Sequence, residues 1–194
     1  MQNVGYWVPV NNESNLLIYI VSHESRQGAQ QSWSAFLKDP AWVAAYKAST
    51  KGGKLVREID RVFLTETDYS PALKVESKDP ERLFELRTYT THEGRRDNIN
   101  KRFRDHTCAL FTKHGITNLL YCDLMEDQEA ADITLTYLIA HDDENARAAS
   151  WEAFRKDPVW QAARKASQTD GPILLKKGGV KSILLDPVDY SKMK

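Results

Sequence analysis

Apolar and polar residues alternate along Phe84-Glu85-Leu86-Arg87-Thr88-Tyr89, the period of a β-strand with two unlike faces. The period then changes. From Gly94 to Gly115, Ile99, Phe103, His106 and Leu110 recur at intervals of four, three and four, which predicts a helix with those residues on one face. Gly115 stands where a helix-ending glycine belongs. Asn118–Asp123 is expected to form a second strand and Ile133–His141 a third. The third is apolar on both faces, as in a strand covered on both sides. Asp143 can cap the next helix, which should stop before Asp157-Pro158, because the residue preceding proline disfavours the α region. Asp157 then caps a short helix with Pro158 in its first turn, and Ser182–Asp186 supplies a last strand. The order β-α-β-β-α-β is the split βαβ of ferredoxin-like domains.

The same pattern occurs twice. Ser32-Trp33-Ser34-Ala35-Phe36-Leu37-Lys38-Asp39-Pro40-Ala41-Trp42 returns as Ser150-Trp151-Glu152-Ala153-Phe154-Arg155-Lys156-Asp157-Pro158-Val159-Trp160. Outside this core, Tyr19 and His23 match Tyr137 and His141, Asn3 and Tyr6 match Asn118 and Tyr121, and Asp68-Tyr69-Ser70 matches Asp189-Tyr190-Ser191. A unit this long, present twice, is a duplicated domain rather than a solenoid repeat. Residues 1–75 and 82–194 are the expected copies, joined by a polar linker around Ser77-Lys78-Asp79-Pro80. The first copy has no counterpart of the opening strand and helix. Either Met1 is an internal methionine or the half-repeat is genuine. A sheet lacking those elements exposes apolar surface, which favours the first alternative.

Composition narrows the picture further. The chain has 194 residues, 27 Lys and Arg against 27 Asp and Glu, and no net charge, so no basic excess points to nucleic acid. No apolar run is long enough to span a bilayer, which argues against membrane insertion. Its start lacks the basic and apolar regions of a signal peptide. The sequence does not fix a compartment, although a soluble cytoplasmic protein is favoured. Cys108 and Cys122 have no metal spacing and read as ordinary thiols. No histidine pair has ligand spacing, and there is no phosphate-binding glycine loop or nucleophile elbow. No cofactor is identified.

The motifs Glu85-Leu86-Arg87-Thr88-Tyr89, Phe103-Arg104-Asp105-His106-Thr107 and Lys113-His114-Gly115-Ile116, followed by Tyr137-Leu138, His141, Trp151, Phe154, Asp157-Pro158 and Trp160, resemble those of the NIPSNAP family. The resemblance covers nearly the whole chain. It implies an α+β fold in which tandem ferredoxin-like repeats form a dimeric α+β barrel, with two sheets face to face and helices outside. Relatives in that superfamily include cofactor-free oxygenases, haem-degrading enzymes and isomerases, and some animal members have interaction roles. Fold alone therefore supplies no reaction.

The candidate catalytic residues are His106, Arg87 and Tyr89. His106 stands on the apolar stripe of its helix and should face the sheet, either as a hydrogen-bonded core histidine or as a general acid/base in a cleft between helix and sheet. Arg87 and Tyr89 share one strand face. They could hold a carboxylate or phenolate, or Arg87 could form a buried salt bridge with an acid such as Asp105. Tyr137, His141 and Trp151 are candidate ligand contacts. Recurrence of His141 as His23 favours a structural role, and Trp151, Phe154 and Trp160 read first as core. A site is expected in the second copy only, for a small organic molecule, with a non-catalytic interaction protein as the alternative. The unpaired sheet edge of the first copy predicts a homo-oligomer.

Overall fold

A computed structural model describes all residues 1–194. The first copy contains β1 (Gln2–Pro9), β2 (Ile18–Ser22), α1 (Arg26–Lys38), α2 (Pro40–Ser49) and β3 (Leu64–Glu66). The second contains β4 (Leu83–Thr90), α3 (Arg96–Arg102), α4 (Cys108–Lys113), β5 (Thr117–Leu124), β6 (Thr134–His141), α5 (Glu144–Lys156), α6 (Pro158–Ala166) and β7 (Val180–Pro187). All seven strands belong to one curled antiparallel sheet in the order β2-β1-β7-β4-β6-β5-β3. The fold is thus α+β, as expected.

The caps fall where the sequence places them. The side chains of Ser25 and Asp143 accept hydrogen bonds from the backbone N–H of Gly28 and Ala146. Asp39 and Asp157 each end one helix and cap the next, accepting from the first-turn N–H groups beyond the proline. Asp157 also accepts from Lys113 Nζ at 2.7 Å and pairs with His114 Nε2 at 2.8 Å. Those two bonds hold its carboxyl well below the usual carboxylate range. His114 thereby ties the end of α4 to the α5–α6 corner.

The helix carrying His106 departs from the expected phase. Residues Phe103–Thr107 form a π-turn between α3 and α4. A π-turn accommodates one additional residue and rotates the next helical segment about its axis. Ile99, Phe103 and Leu110 are buried as expected, but Thr107 takes the buried position between them, its hydroxyl donating to Arg102 O at 3.1 Å. His106 is turned outward and exposed. The expectation that it faces the sheet is therefore corrected.

Two apolar cores lie on opposite faces of the sheet. On the helix-covered face, Ile99, Phe103 and Phe111 pack with Tyr121, Tyr137, Trp151 and Phe154. On the other face, Val4, Trp7, Phe84, Leu138, Leu185 and Met193 close the curl. The alternation of β4 divides its side chains between the two cores: Phe84 joins the second, while Glu85 is buried in contact with residues of the first. The thiols of Cys108 and Cys122 are free and pushed up by burial to about 11 and about 12, so both are protonated at neutral pH.

The copies meet at two seams with the same register. Trp7 pairs with Pro187 in one seam, and Cys122, the counterpart of Trp7, pairs with Glu66 in the other. Tyr6 N donates to Ser191 Oγ at 2.9 Å, and Tyr121 N donates to Ser70 Oγ at 3.0 Å. The repeated Asp-Tyr-Ser motif is thus a seam clamp.

Candidate functional site

The second copy contains a cavity of about 1010 Å³ between the helix-covered side of β4, helices α5 and α6, and the segment that leads into β7. The β4 alternation aims Arg87 and Tyr89 at it. Helix α5 contributes Arg147, Trp151 and Arg155, and α6 contributes Trp160 and Arg164. Arg102 reaches in from the end of α3, and Ile173, Leu174 and Val180 complete an apolar side.

Its back wall is a buried ionic cluster. Glu85 is 0% exposed, and five side chains donate to its carboxylate. Arg87 Nη1 lies at 2.5 Å, Ser182 Oγ at 2.6 Å, Arg147 Nε at 2.8 Å, Trp151 Nε1 at 3.0 Å and His141 Nε2 at 3.2 Å. The contact to a carboxylate places the histidine proton on Nε2. Burial alone would raise the Glu85 carboxyl. The bonds from His141, Arg147 and Ser182 and the charge of Arg87 outweigh it and hold the group well below the carboxylate range. Arg87 also donates to Tyr137 Oη at 2.9 Å and Tyr89 Oη at 3.3 Å. Burial drives the Tyr137 phenol well above its ordinary value, so it is neutral.

Arg87 is thus a wall residue ion-paired to Glu85, a carboxylate it shares with Arg147. Its partner is not Asp105, which pairs with Lys101 on the surface. Tyr89 and Trp151 line the cavity with it. Tyr137 and His141 lie behind the wall and position Arg87 and Glu85. His106 is absent from the lining. Of the six residues anticipated from sequence, three border the cavity, two support it and one faces solvent.

The less anticipated half of the site is its cationic front. Arg102 is only 6% exposed. Its Nη1 donates to Ser167 Oγ at 3.1 Å and its guanidinium lies 5.1 Å from the Trp160 ring, yet its Nε has no partner and no carboxylate lies within ion-pair distance. Arg155, Arg164 and Lys176 also line the cavity without a paired acid, and Glu152 is the only acid in the lining. A signal for the helix arginines among them was available: Arg147, Arg155 and Arg164 stand where the first copy has Ala29, Leu37 and Tyr46. Cations gained in one copy at matching positions mark a difference in use. No three His, Cys, Asp or Glu side chains converge as a metal site, and no helix is long and apolar enough to cross a membrane.

The NIPSNAP family model matches residues 1–71 and 84–192. Among solved structures, the chain is similar to an uncharacterized NIPSNAP-like domain protein from Burkholderia xenovorans, at 16% identity over 56% of this chain and 87% of that one, with a TM-score of 0.47. A NIPSNAP domain protein from the same organism matches at 23% identity over 56% of this chain and 96% of its own, with a TM-score of 0.45. A NIPSNAP family protein of unknown function from Agrobacterium tumefaciens matches at 17% identity over 62% of this chain and 100% of its own, with a TM-score of 0.49. No curated protein matches.

Proposed function

The chain belongs to the NIPSNAP family, and within it we propose that this protein binds a small organic anion with a planar apolar body in the second-copy cavity. The observation that carries this reading is Arg102: a guanidinium almost wholly withdrawn from water, without a carboxylate, beside a cavity. A buried unpaired charge is costly unless something compensates it. A bound carboxylate or phosphate would do so through charge-assisted hydrogen bonds. Trp151, Trp160 and Ile173 offer the apolar surface for the rest of such a ligand.

The reading is one of binding, and no reaction is assigned to these residues. Arg87 donates to Tyr89, Tyr137 and Glu85 at once, which fixes the cavity wall in place. The alternative is an interaction or scaffold protein. The apolar surface exposed by the first copy, including Leu37, Val43 and Tyr46, favours it.

Isothermal titration with benzoate and phenyl phosphate tests the proposal. Phenyl phosphate should bind with a dissociation constant on the order of 100 µM, and Arg102→Met should weaken it about tenfold, with further weakening by salt. Absence of binding at about 100 times that concentration, or parent-like binding by Arg102→Met with an intact melting transition, would overturn it.

A further inference from the structure

The cationic front of the second-copy cavity is built around two arginines. Arg102 ends α3 and Arg164 lies in the last turn of α6, and both line the cavity. Ser167 links them. Arg102 Nη1 donates to Ser167 Oγ at 3.1 Å, and that hydroxyl donates to Arg164 O at 2.9 Å. Trp160 precedes Arg164 by one turn, so the two side chains share a face of α6. The Trp160 ring also lies 5.1 Å from the Arg102 guanidinium. Two cationic side chains from separate elements thus gather at one indole.

The acids around the cavity are engaged elsewhere. Glu85 holds Arg87, His141 and Arg147, Glu152 holds Lys156, and Asp157 at the head of α6 holds Lys113 and His114. The carbonyl end of α6 is engaged as well: Arg95 Nη2 donates to Ser167 O at 3.2 Å and to Gly171 O at 3.0 Å. Burial pushes the Arg102 guanidinium below its ordinary value, and the charge of Arg164 adds to that push. The two arginines are therefore within electrostatic reach of each other, and like charges held together in a partly dry site repel. A ligand with one negative charge cancels one of them, and a ligand group with two cancels both. On the opposite wall the cations Arg87 and Arg147 already share Glu85, so an anion placed there would meet a carboxylate.

We propose that Arg102 and Arg164 form a clamp for a doubly charged phosphate group, so that the ligand class of this cavity is an aromatic phosphate monoester rather than a carboxylate or a sulfate ester. This rests on the anion-binding reading of the cavity and adds the charge state that the site selects. The phosphate lies between the two guanidinium groups, where planar donors match its oxygens. The apolar body extends along Trp160, Trp151 and Ile173, with its charge held away from Glu85. Arg102 is the cation that any anion needs, and Arg164 is the one that rewards a second charge.

Calorimetry at about pH 8 with phenyl phosphate and phenyl sulfate tests the clamp. The two esters share a ring and a tetrahedral head with three terminal oxygens. They differ by one charge, because the phosphate is then fully ionised. The parent should bind the phosphate about tenfold more tightly than the sulfate. Arg164→Ala should reduce that preference to about threefold, weakening the phosphate while leaving the sulfate within about twofold. Arg164 is exposed, so this variant should keep its melting transition. Arg102→Met should weaken both esters. Equal affinity of the parent for the two esters, or a preference that Arg164→Ala leaves intact, would overturn the clamp while the anion site stands. Binding of neither ester would overturn both.

Discussion

Trp151 and Trp33 occupy matching positions in two copies of one sequence pattern and have different surroundings. Trp151 donates to a buried carboxylate and packs against Phe111 and Phe154. Trp33 packs on Phe36, itself more than a third exposed, and faces an open cavity. The helix, its cap and the Asp-Pro corner are present in both copies. What differs is the strand and helix that sit on top. Local pattern thus makes α1 and α5 alike, and the neighbouring strand decides whether the same aromatic residue becomes core. The same difference confines the ionic cluster, and with it the cavity, to the second copy.

Removing the two indoles should give the largest contrast. Trp151→Ala should cost about 3–5 kcal/mol of stability in denaturant melts, through lost packing and an orphaned Glu85 bond. Trp33→Ala should cost less than about 1 kcal/mol. Equal losses would show that the first copy is packed as tightly as the second.

Acid should act through the second copy as well. The folded Glu85 carboxyl sits below its ordinary value of 4.5. The stability it contributes is therefore present above about pH 5 and is lost as pH falls below that toward the lowered folded value. Glu85→Gln should be less stable at pH 7, by about 3 kcal/mol for a broken buried cluster, and its melting temperature should fall less steeply between pH 5 and pH 3 than that of the parent. A parent-like slope would remove Glu85 as a main source of acid sensitivity.

Smaller effects separate the cavity from the exposed helix face. Arg164→Ala should weaken phenyl phosphate by a few-fold, since this arginine is less enclosed than Arg102. His106→Ala should leave both binding and stability within about 0.5 kcal/mol, as for an ordinary surface change. A tenfold loss of binding from His106→Ala would return that histidine to the site.

Much of this architecture was legible from residue order. Alternation placed β4, and the Asp-Pro pairs placed two helix corners. His106 shows where periodicity stops being sufficient. Its spacing from Phe103 and Leu110 suits an α-helix, but a π-turn rotates the chain by one residue and buries Thr107 instead. Nothing in the spacing distinguishes the two phases. The acid partner of Arg87 was also misplaced, because Glu85 lies two residues away on the same strand face, where strand pleating brings side chains together. Arg102 was invisible as a site residue, since a lone arginine near a helix end is usually solvated. Its meaning comes from Trp160 and the segment after α6 closing over it.

The proposed anion site lies in the second-copy cavity. The side-chain N–H resonances of the tryptophans report on both copies in one spectrum. During an NMR titration with phenyl phosphate, the signals of Trp151 and Trp160 should move to saturation together, at concentrations that leave Trp33 and Trp42 unmoved, and Arg102→Met should displace that saturation to about tenfold higher ligand. Equal movement of Trp33 and Trp42, or no movement of Trp151 and Trp160, would contradict it.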